Sequence, residues 1–374
     1  MLGDFESAKM RGTAGKTVIC APFESSYRSK RFKKSVLLKK LLLVVCVSGF
    51  ASMKGGGMLD RRLLEEGLAV IVSSRERTGD LWHAHYGAGA IAAYFWVREN
   101  RLTALAAGSV TAEAKAMLRQ HGLNDGLNSR NGDVLPREEA EARITAALDR
   151  TIGELHWVGH QAIYGALSLK AIRELDGWGT EQDMDQMVEL IDSFERTIPG
   201  RSWVNTTVKE IRSLKLSEAD GFPDIERPEQ LSRLILDELG AFRTIYQAEA
   251  HHDLIGHMLT YGHALNILFE LDYPALFHKG IPPFLRMVKA LRLSRDVDAE
   301  QEMPTLQSPV DRLPLIRAER SVALPHELEY WLTDRRSRDW HGGHVFKFPF
   351  SFYHHARNGN SVPESWENFR YIIA

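Results

Sequence analysis

From Asp80 to Asn100 the chain reads DLWHAHYGAGAIAAYFWVREN, helical in pattern and apolar nearly all round, with His83 and His85 near its start. A helix without a polar face has to be enclosed on every side, so this segment demands a domain large enough to wrap it. With 374 residues, 44% of them hydrophobic and 26% charged, the chain has the material for such a core. Asp80 stands where an N-cap is wanted, its short side chain suited to accept from the first free backbone N–H groups.

The same character returns from His156 to Ile172, and again from Ala248 to Leu265 (AEAHHDLIGHMLTYGHAL). No repeat of fixed period, no sustained strand alternation and no βαβ rhythm accompanies these stretches, and neither GxGxxG nor a Walker loop occurs. The expected fold is therefore all-α: one helical globular domain over residues 58–374, with room for one or two short strands. LLEEGLAVIVSS is expected to begin as a helix and end as a strand. Arg137 to Leu175 reads as one long helix, residues 229–271 as two helices jointed at Gly240, and Pro282–Pro283 as the start of another. His326 to Asp334 is expected to be helical.

Residues 1–57 read as a leader, bounded by KGGGM at Lys54 to Met58. A basic run, Arg28 to Lys40, precedes an apolar run, Leu41 to Ala51, which is short for a bilayer span. That is the order of an export signal, placed far from Met1; a true start at Met53 or Met58 is the other reading. The expected location is cytoplasmic, with export or anchoring through residues 28–51 as the alternative, and no membrane contact for the body. Cys20 and Cys46 are the only cysteines, which leaves the body no disulfide, thiolate zinc site or cysteine nucleophile. A net charge of −2 without a basic surface run gives no reason to expect nucleic acid, so the expected partner is a small molecule. The sequence does not set an oligomeric state.

Fifteen histidines occur, and four clusters hold most of them. His83 and His85, at i,i+2, point about 200° apart on a helix, so one at most faces a given site. His156 and His160 are at i,i+4, a spacing at which two imidazoles share one face. Glu249, Asp253 and His257 step by four, so Asp253 and His257 are the expected acid/base pair, with Tyr94, Tyr164 and Tyr261 nearby as proton donors. The fourth cluster, WHGGHVFKFPFSFYHHAR, holds His341, His344, Lys347, His354 and His355, the last two expected at the surface. The plain alternative for each histidine is a satisfied core residue, favoured for His83, His85 and His121.

The order of HAHYGAGAIAAYF, GHQAIYGALSLKAIREL, GHMLTYGHALNIL and GHVFKFPFSFYHHARNGN resembles that of the questin oxidase-like family. The resemblance spans roughly Trp82 to Asn360 and falls on His83 or His85, His160, His257, Thr260, His263, His344 and Lys347. It departs at HQAIYGAL, where an apolar or prolyl residue would follow His160, and at PFSFYHHA after Lys347. It implies an oxygen-dependent, Baeyer-Villiger-like oxidation of a polycyclic aromatic with NADPH as reductant. With no dinucleotide fingerprint, such a cofactor would be held in a non-Rossmann way. On this reading His257, Asp253, His263 and Lys347 are catalytic, with Lys347 stabilising an oxyanion. His83, His85, His160, Tyr164, Tyr261 and His344 bind substrate, Trp82, Tyr94, Trp96 and Phe346 form an aromatic wall, and no metal ligand is assigned, the sequence leaving a bound metal open.

Two other readings stand beside it. The His252–Asp253 dipeptide suggests an HD-type metal hydrolase with His160, His252, Asp253 and His257 as ligands, His83 as another candidate upstream and Asp272 downstream. The third is a helical scaffold or binding protein whose histidines merely pack. Convergence of the clusters on one pocket separates the enzyme readings from the scaffold.

Overall fold

The computed structural model describes residues 59–122, 132–298, 307–309, 312, 314–332 and 343–373. They belong to one compact unit, Gly57–Ala374. The leader with both cysteines lies outside the described residues, as does His341. Thirteen α-helices are described: α1 (Arg62–Thr78), α2 (Ala84–Glu99), α3 (Ala104–His121), α4 (Arg137–Thr151), α5 (His160–Leu175), α6 (Glu181–Ser193) and α7 (Val208–Ser213). They continue as α8 (Pro228–Gly240), α9 (Leu254–Glu270), α10 (Pro274–Arg292), α11 (Leu328–Trp331), α12 (His344–Asn358) and α13 (Pro363–Ile372). The fold is all-α. Among the described residues the only β pairings are the isolated bridges Tyr246–Arg317 and Gln307–Pro314. No helix among them is long and apolar enough to cross a membrane.

The helix without a polar face is α2, buried from Ala84 to Trp96. It packs between α5 and α12, and α9 closes the ring by packing on the same two. The remaining helices jacket this ring, with α1 against α2, α8 and α10 against α9, and α4 against α5. Each fully buried large apolar side chain in it, such as Trp96, Phe346 or Phe348, contributes about 1.5–3 kcal/mol.

Local chemistry places the helix ends. Thr180 and Asp183 form a capping box at the start of α6, Thr207 and Glu210 do so for α7, and Pro228 takes the first turn of α8, where a missing N–H costs nothing. Gly343 (φ 71°) opens α12, and a Cβ there would lie 2.8 Å from Gly89 Cα. Two bare glycines thus let the start of α12 touch α2, which brings His344 beside His85.

Several expectations need correction. The stretch LLEEGLAVIVSS is helical throughout, within α1, because its apolar residues form a continuous buried face from Leu63 to Val72. The long helix expected from Arg137 to Leu175 is two helices, because Trp157 (φ 38°), Val158 (φ 50°) and Gly159 (φ 87°) turn left-handed between them. Pro282 and Pro283 lie inside α10 rather than at its start, Pro274 taking the first turn and Ile281, Pro283 and Phe284 being buried. In the His326–Asp334 segment the described helix is only Leu328–Trp331.

Candidate metal centre

Four histidines stand at or near the N-terminal ends of the four ring helices. His160 and His344 are the first residues of α5 and α12, His85 is the second of α2 and His257 the fourth of α9. Their rings meet. Centroid separations are 4.4 Å for His85–His160, 4.8 Å for His160–His257, 4.9 Å for His257–His344 and 5.5 Å for His85–His344. One nitrogen from each of His85, His257 and His344 lies within 4.8 Å of the others, and His160 Nε2 is 2.7 Å from His85 Nε2.

Each ring is held by its other nitrogen. His85 Nδ1 is 2.9 Å from Trp82 O, and His160 Nδ1 bonds Trp157 O. His257 Nδ1 is 2.7 Å from Asp253 O and 3.3 Å from Asp253 Oδ2, while His344 Nδ1 is 3.1 Å from Asp253 Oδ1. A carbonyl or carboxylate oxygen can only accept, so Nδ1 of His160, His257 and His344 carries a proton, whereas His85 Nδ1 also faces the Tyr164 hydroxyl and its Nε2 is paired with His160 Nε2. The Tyr164 hydroxyl lies 2.5 Å from His85 Nδ1 and 3.4 Å from Leu81 O. His257 Nε2 and His344 Nε2 are buried with no hydrogen-bond partner.

The backbone that positions these rings is unusual. A single π-helical turn, Glu249–Asp253, precedes α9 and lets one carboxylate reach two rings. The left-handed run before α5 is held by Trp157 N and Val158 N donating at 2.7 Å to Ile198 O and Pro199 O. Gly159 is required there, since a Cβ would meet the Tyr261 ring at 2.3 Å. This turn also removes His156 from the helical face of His160.

Electrostatics disfavour charge on three of the rings. Burial pushes His85, His160 and His344 well below the usual imidazole range, with the Lys347 ammonium and neighbouring imidazoles acting in the same direction. The positive N-terminal ends of α2, α5 and α12 add to this. Burial alone would raise the Asp253 carboxyl, but His257 and His344 hold it well below the usual carboxylate range. Burial raises the Tyr164 phenol well above its ordinary value.

Half-buried Trp82 covers the centre, its ring 3.8 Å from His85, 6.2 Å from His160 and 6.0 Å from His344. Phe348 stacks on His344 at 4.6 Å, and Phe194 lies parallel to His160 at 6.4 Å. Lys347 is 1% exposed and acts electrostatically on three of the rings.

The structure thus brings together His85, His160, His257 and His344, with Asp253, Tyr164, Lys347 and Trp82 around them. Other residues singled out in the sequence lie elsewhere. His83 sets its ring edge against Tyr86 at 5.3 Å. His263 stacks on His354 at 4.0 Å, with Nδ1 3.1 Å from Ser351 Oγ. The Tyr261 hydroxyl faces Gly280 O at 3.5 Å, and half-buried His252 turns Nδ1 to Ala248 O at 3.0 Å. Tyr94 donates to Glu174 Oε1 at 3.0 Å, Trp96 packs on Tyr353 and Phe346 on Trp331. His354 and His355, expected at the surface, are 3% and 0% exposed, because this side of α12 packs on α8 and α9.

Sequence reasoning missed Phe348, Phe194 and the second bond of Asp253. Phe348 had a signal, four residues after His344 on the same helix face. Phe194 and the Asp253–His344 contact join distant segments and had none. No family model, curated protein or solved structure matches this chain.

Proposed function

We propose that the four imidazoles hold one transition-metal ion and that the protein is a metal-dependent oxidoreductase acting with dioxygen on a small aromatic molecule. One observation carries the metal: one nitrogen from each of His85, His257 and His344 lies within 4.8 Å of the others, and His257 Nε2 and His344 Nε2 are buried without a partner while their Nδ1 atoms are committed to Asp253. Left alone, the buried unpaired nitrogens of His257 and His344 cost about 1–3 kcal/mol each. A cation removes both costs. Two nitrogens each about 2.0–2.1 Å from one ion stand about 3 Å apart, close to the 2.7 Å between His85 Nε2 and His160 Nε2.

Imidazole ligands suit iron, copper, nickel and zinc, and a set of neutral ligands leaves the ion its full charge. Asp253 orients two of the ligands and raises their basicity rather than binding the ion itself. Lys347 supplies a buried cation for an oxyanion developing beside the centre. Trp82 offers a planar surface on which an aromatic substrate would stack.

Support for the oxidative reading comes from the motif order: the four segments resembling the questin oxidase-like family are the four that supply these rings. Redox-capable metals fit the same set. The HD-type arrangement is less favoured, since it needs His252 and Asp253 as ligands, whereas His252 faces Ala248 O and both Asp253 oxygens face Nδ1 atoms.

The test uses purified full-length chain, its metal content measured by mass spectrometry, and dioxygen uptake followed with a panel of hydroxylated polycyclic aromatics. The proposal expects one ion per chain and uptake that a chelator abolishes and the metal restores. A chain that takes up no metal when offered iron, copper, nickel or zinc would refute it, as would uptake indifferent to the chelator.

A further inference from the structure

We propose that a small cavity beneath the imidazole centre holds one ordered water joining His263 to the Lys347 ammonium, and that His263 positions Lys347 through it. The water rests on the cavity alone, whereas the use of a positioned Lys347 in turnover rests on the function proposed above. The cavity measures about 10 Å³, the room that one water needs. Thr260 lies three positions beyond His257, and Lys347 and Ser351 three and seven beyond His344. At 1.5 Å per residue, the cavity therefore sits about 5–10 Å below the rings.

Three side chains of its wall supply the partners. His263 is 1% exposed, and its Nε2 is buried with no hydrogen-bond partner while Nδ1 is 3.1 Å from Ser351 Oγ. Lys347, also 1% exposed, brings a cation that can only donate. Thr260 Oγ1 donates its hydrogen to His257 O at 3.2 Å and keeps its lone pairs for accepting. A water that accepts from the ammonium turns both of its own hydrogens away from it. One reaches His263 Nε2 and the other Thr260 Oγ1, which makes the three bonds usual for a buried water. Burial holds His263 well below the usual imidazole range, so the ring carries a single proton. With Nε2 accepting, that proton sits on Nδ1 and is donated to Ser351 Oγ. An anion as small as chloride already exceeds the one water this cavity admits, and an empty cavity would leave Nε2 bare. Through the water, the ring fixes the end of a long flexible side chain whose charge acts on His85, His160 and His344.

Neutron diffraction from deuterated crystals of the full-length protein tests the water. The expected result is one heavy-water molecule about 2.7–3.2 Å from both His263 Nε2 and Lys347 Nζ, with deuterium on His263 Nδ1 and none on Nε2. An empty cavity, an ion in it, or deuterium on Nε2 would overturn the proposal. The role of His263 is read from the Lys347 ammonium signal in nitrogen-15 NMR. His263→Leu should lose the slowly exchanging signal, and His263→Gln, whose amide oxygen reaches the place of Nε2, should keep it. If His263→Leu fails to fold, Thr260→Val, which removes one acceptor at nearly the same shape, should speed the exchange. A signal that neither variant changes would overturn the positioning. In turnover, His263→Leu should lower kcat about 100-fold with little change in KM, and His263→Gln much less; equal losses in the two would overturn it as well. Diffraction and NMR need neither metal nor substrate, so their failure is distinct from a failure of the oxidoreductase reading.

Discussion

Two groups of histidines occupy the interior of this bundle, and burial does not tell them apart. His85, His160, His257 and His344 at the upper end, and His263, His354 and His355 below, are all at most 4% exposed. What differs is where their nitrogens go. His355 satisfies both, Nδ1 on Ser232 Oγ at 3.0 Å and Nε2 on Leu259 O at 2.9 Å. His354 Nε2 meets the amides of Asn266 and Asn358 at 3.1 Å and Glu270 Oε1 at 3.6 Å. Of the lower rings, His354 and His355 find partners one at a time, and His263 bonds Ser351 through Nδ1 and leaves Nε2 without one. In the upper group the Nε2 atoms of His257 and His344 find no partner and those of His85 and His160 find only each other. A buried imidazole is a core residue when its neighbours complete it, and a ligand when several are left incomplete together.

That contrast can be broken by substitution. His257→Ala should abolish metal binding and turnover while far-UV circular dichroism keeps its helical signal; a variant with normal metal content would remove His257 from the centre. Asp253→Asn should cost about 10–100-fold in metal affinity, read by competition with a chelator, because it removes the carboxylate that orients two ligands. His355→Ala should do the reverse, leaving metal content unchanged and lowering stability to urea by about 1–3 kcal/mol, since Ser232 and Leu259 lose a buried partner. Equal effects of His257→Ala and His355→Ala on metal content would erase the distinction between the groups.

Acid should act on both groups in the same direction. Burial pushes His355 down to about 4 and holds His263 and His354 in the lower group, and His85, His160 and His344 in the upper, well under their ordinary range. Unfolded imidazoles titrate near 6.5, so below that pH the unfolded chain binds protons that the folded rings refuse. Their contribution to stability is complete above about pH 6.5 and declines as pH falls toward 4, which urea unfolding at a series of pH values measures. The smallest effect is expected at His83, whose ring lies outside the centre: His83→Ala should leave metal content unchanged.

Much of this was legible in the chain. Residues apolar around the whole helix at 84–96, with His85 among them, are what an interior helix bearing a site looks like before any coordinates. The segments that supply His85, His160, His257 and His344 stand out for that reason. The i,i+4 step from Asp253 to His257 likewise shows in the sequence. Its second bond, to His344, does not, because it joins residues about ninety positions apart through the π turn before α9. Nor does the break before His160. Trp157 and Val158 are β-region residues by preference, and only packing of Gly159 on Tyr261 and bonding to Ile198 and Pro199 hold them left-handed. The surface expectation for His354 and His355 failed because the position of α8 is a tertiary fact.

The central claim, four imidazoles on one ion, is most directly tested by X-ray absorption spectroscopy of the metal-loaded full-length protein. The account predicts about four nitrogen scatterers near 2.0–2.2 Å with the outer-shell pattern of imidazole rings, reduced in His257→Ala. A first shell of oxygen alone, or a spectrum unchanged by that substitution, would contradict it.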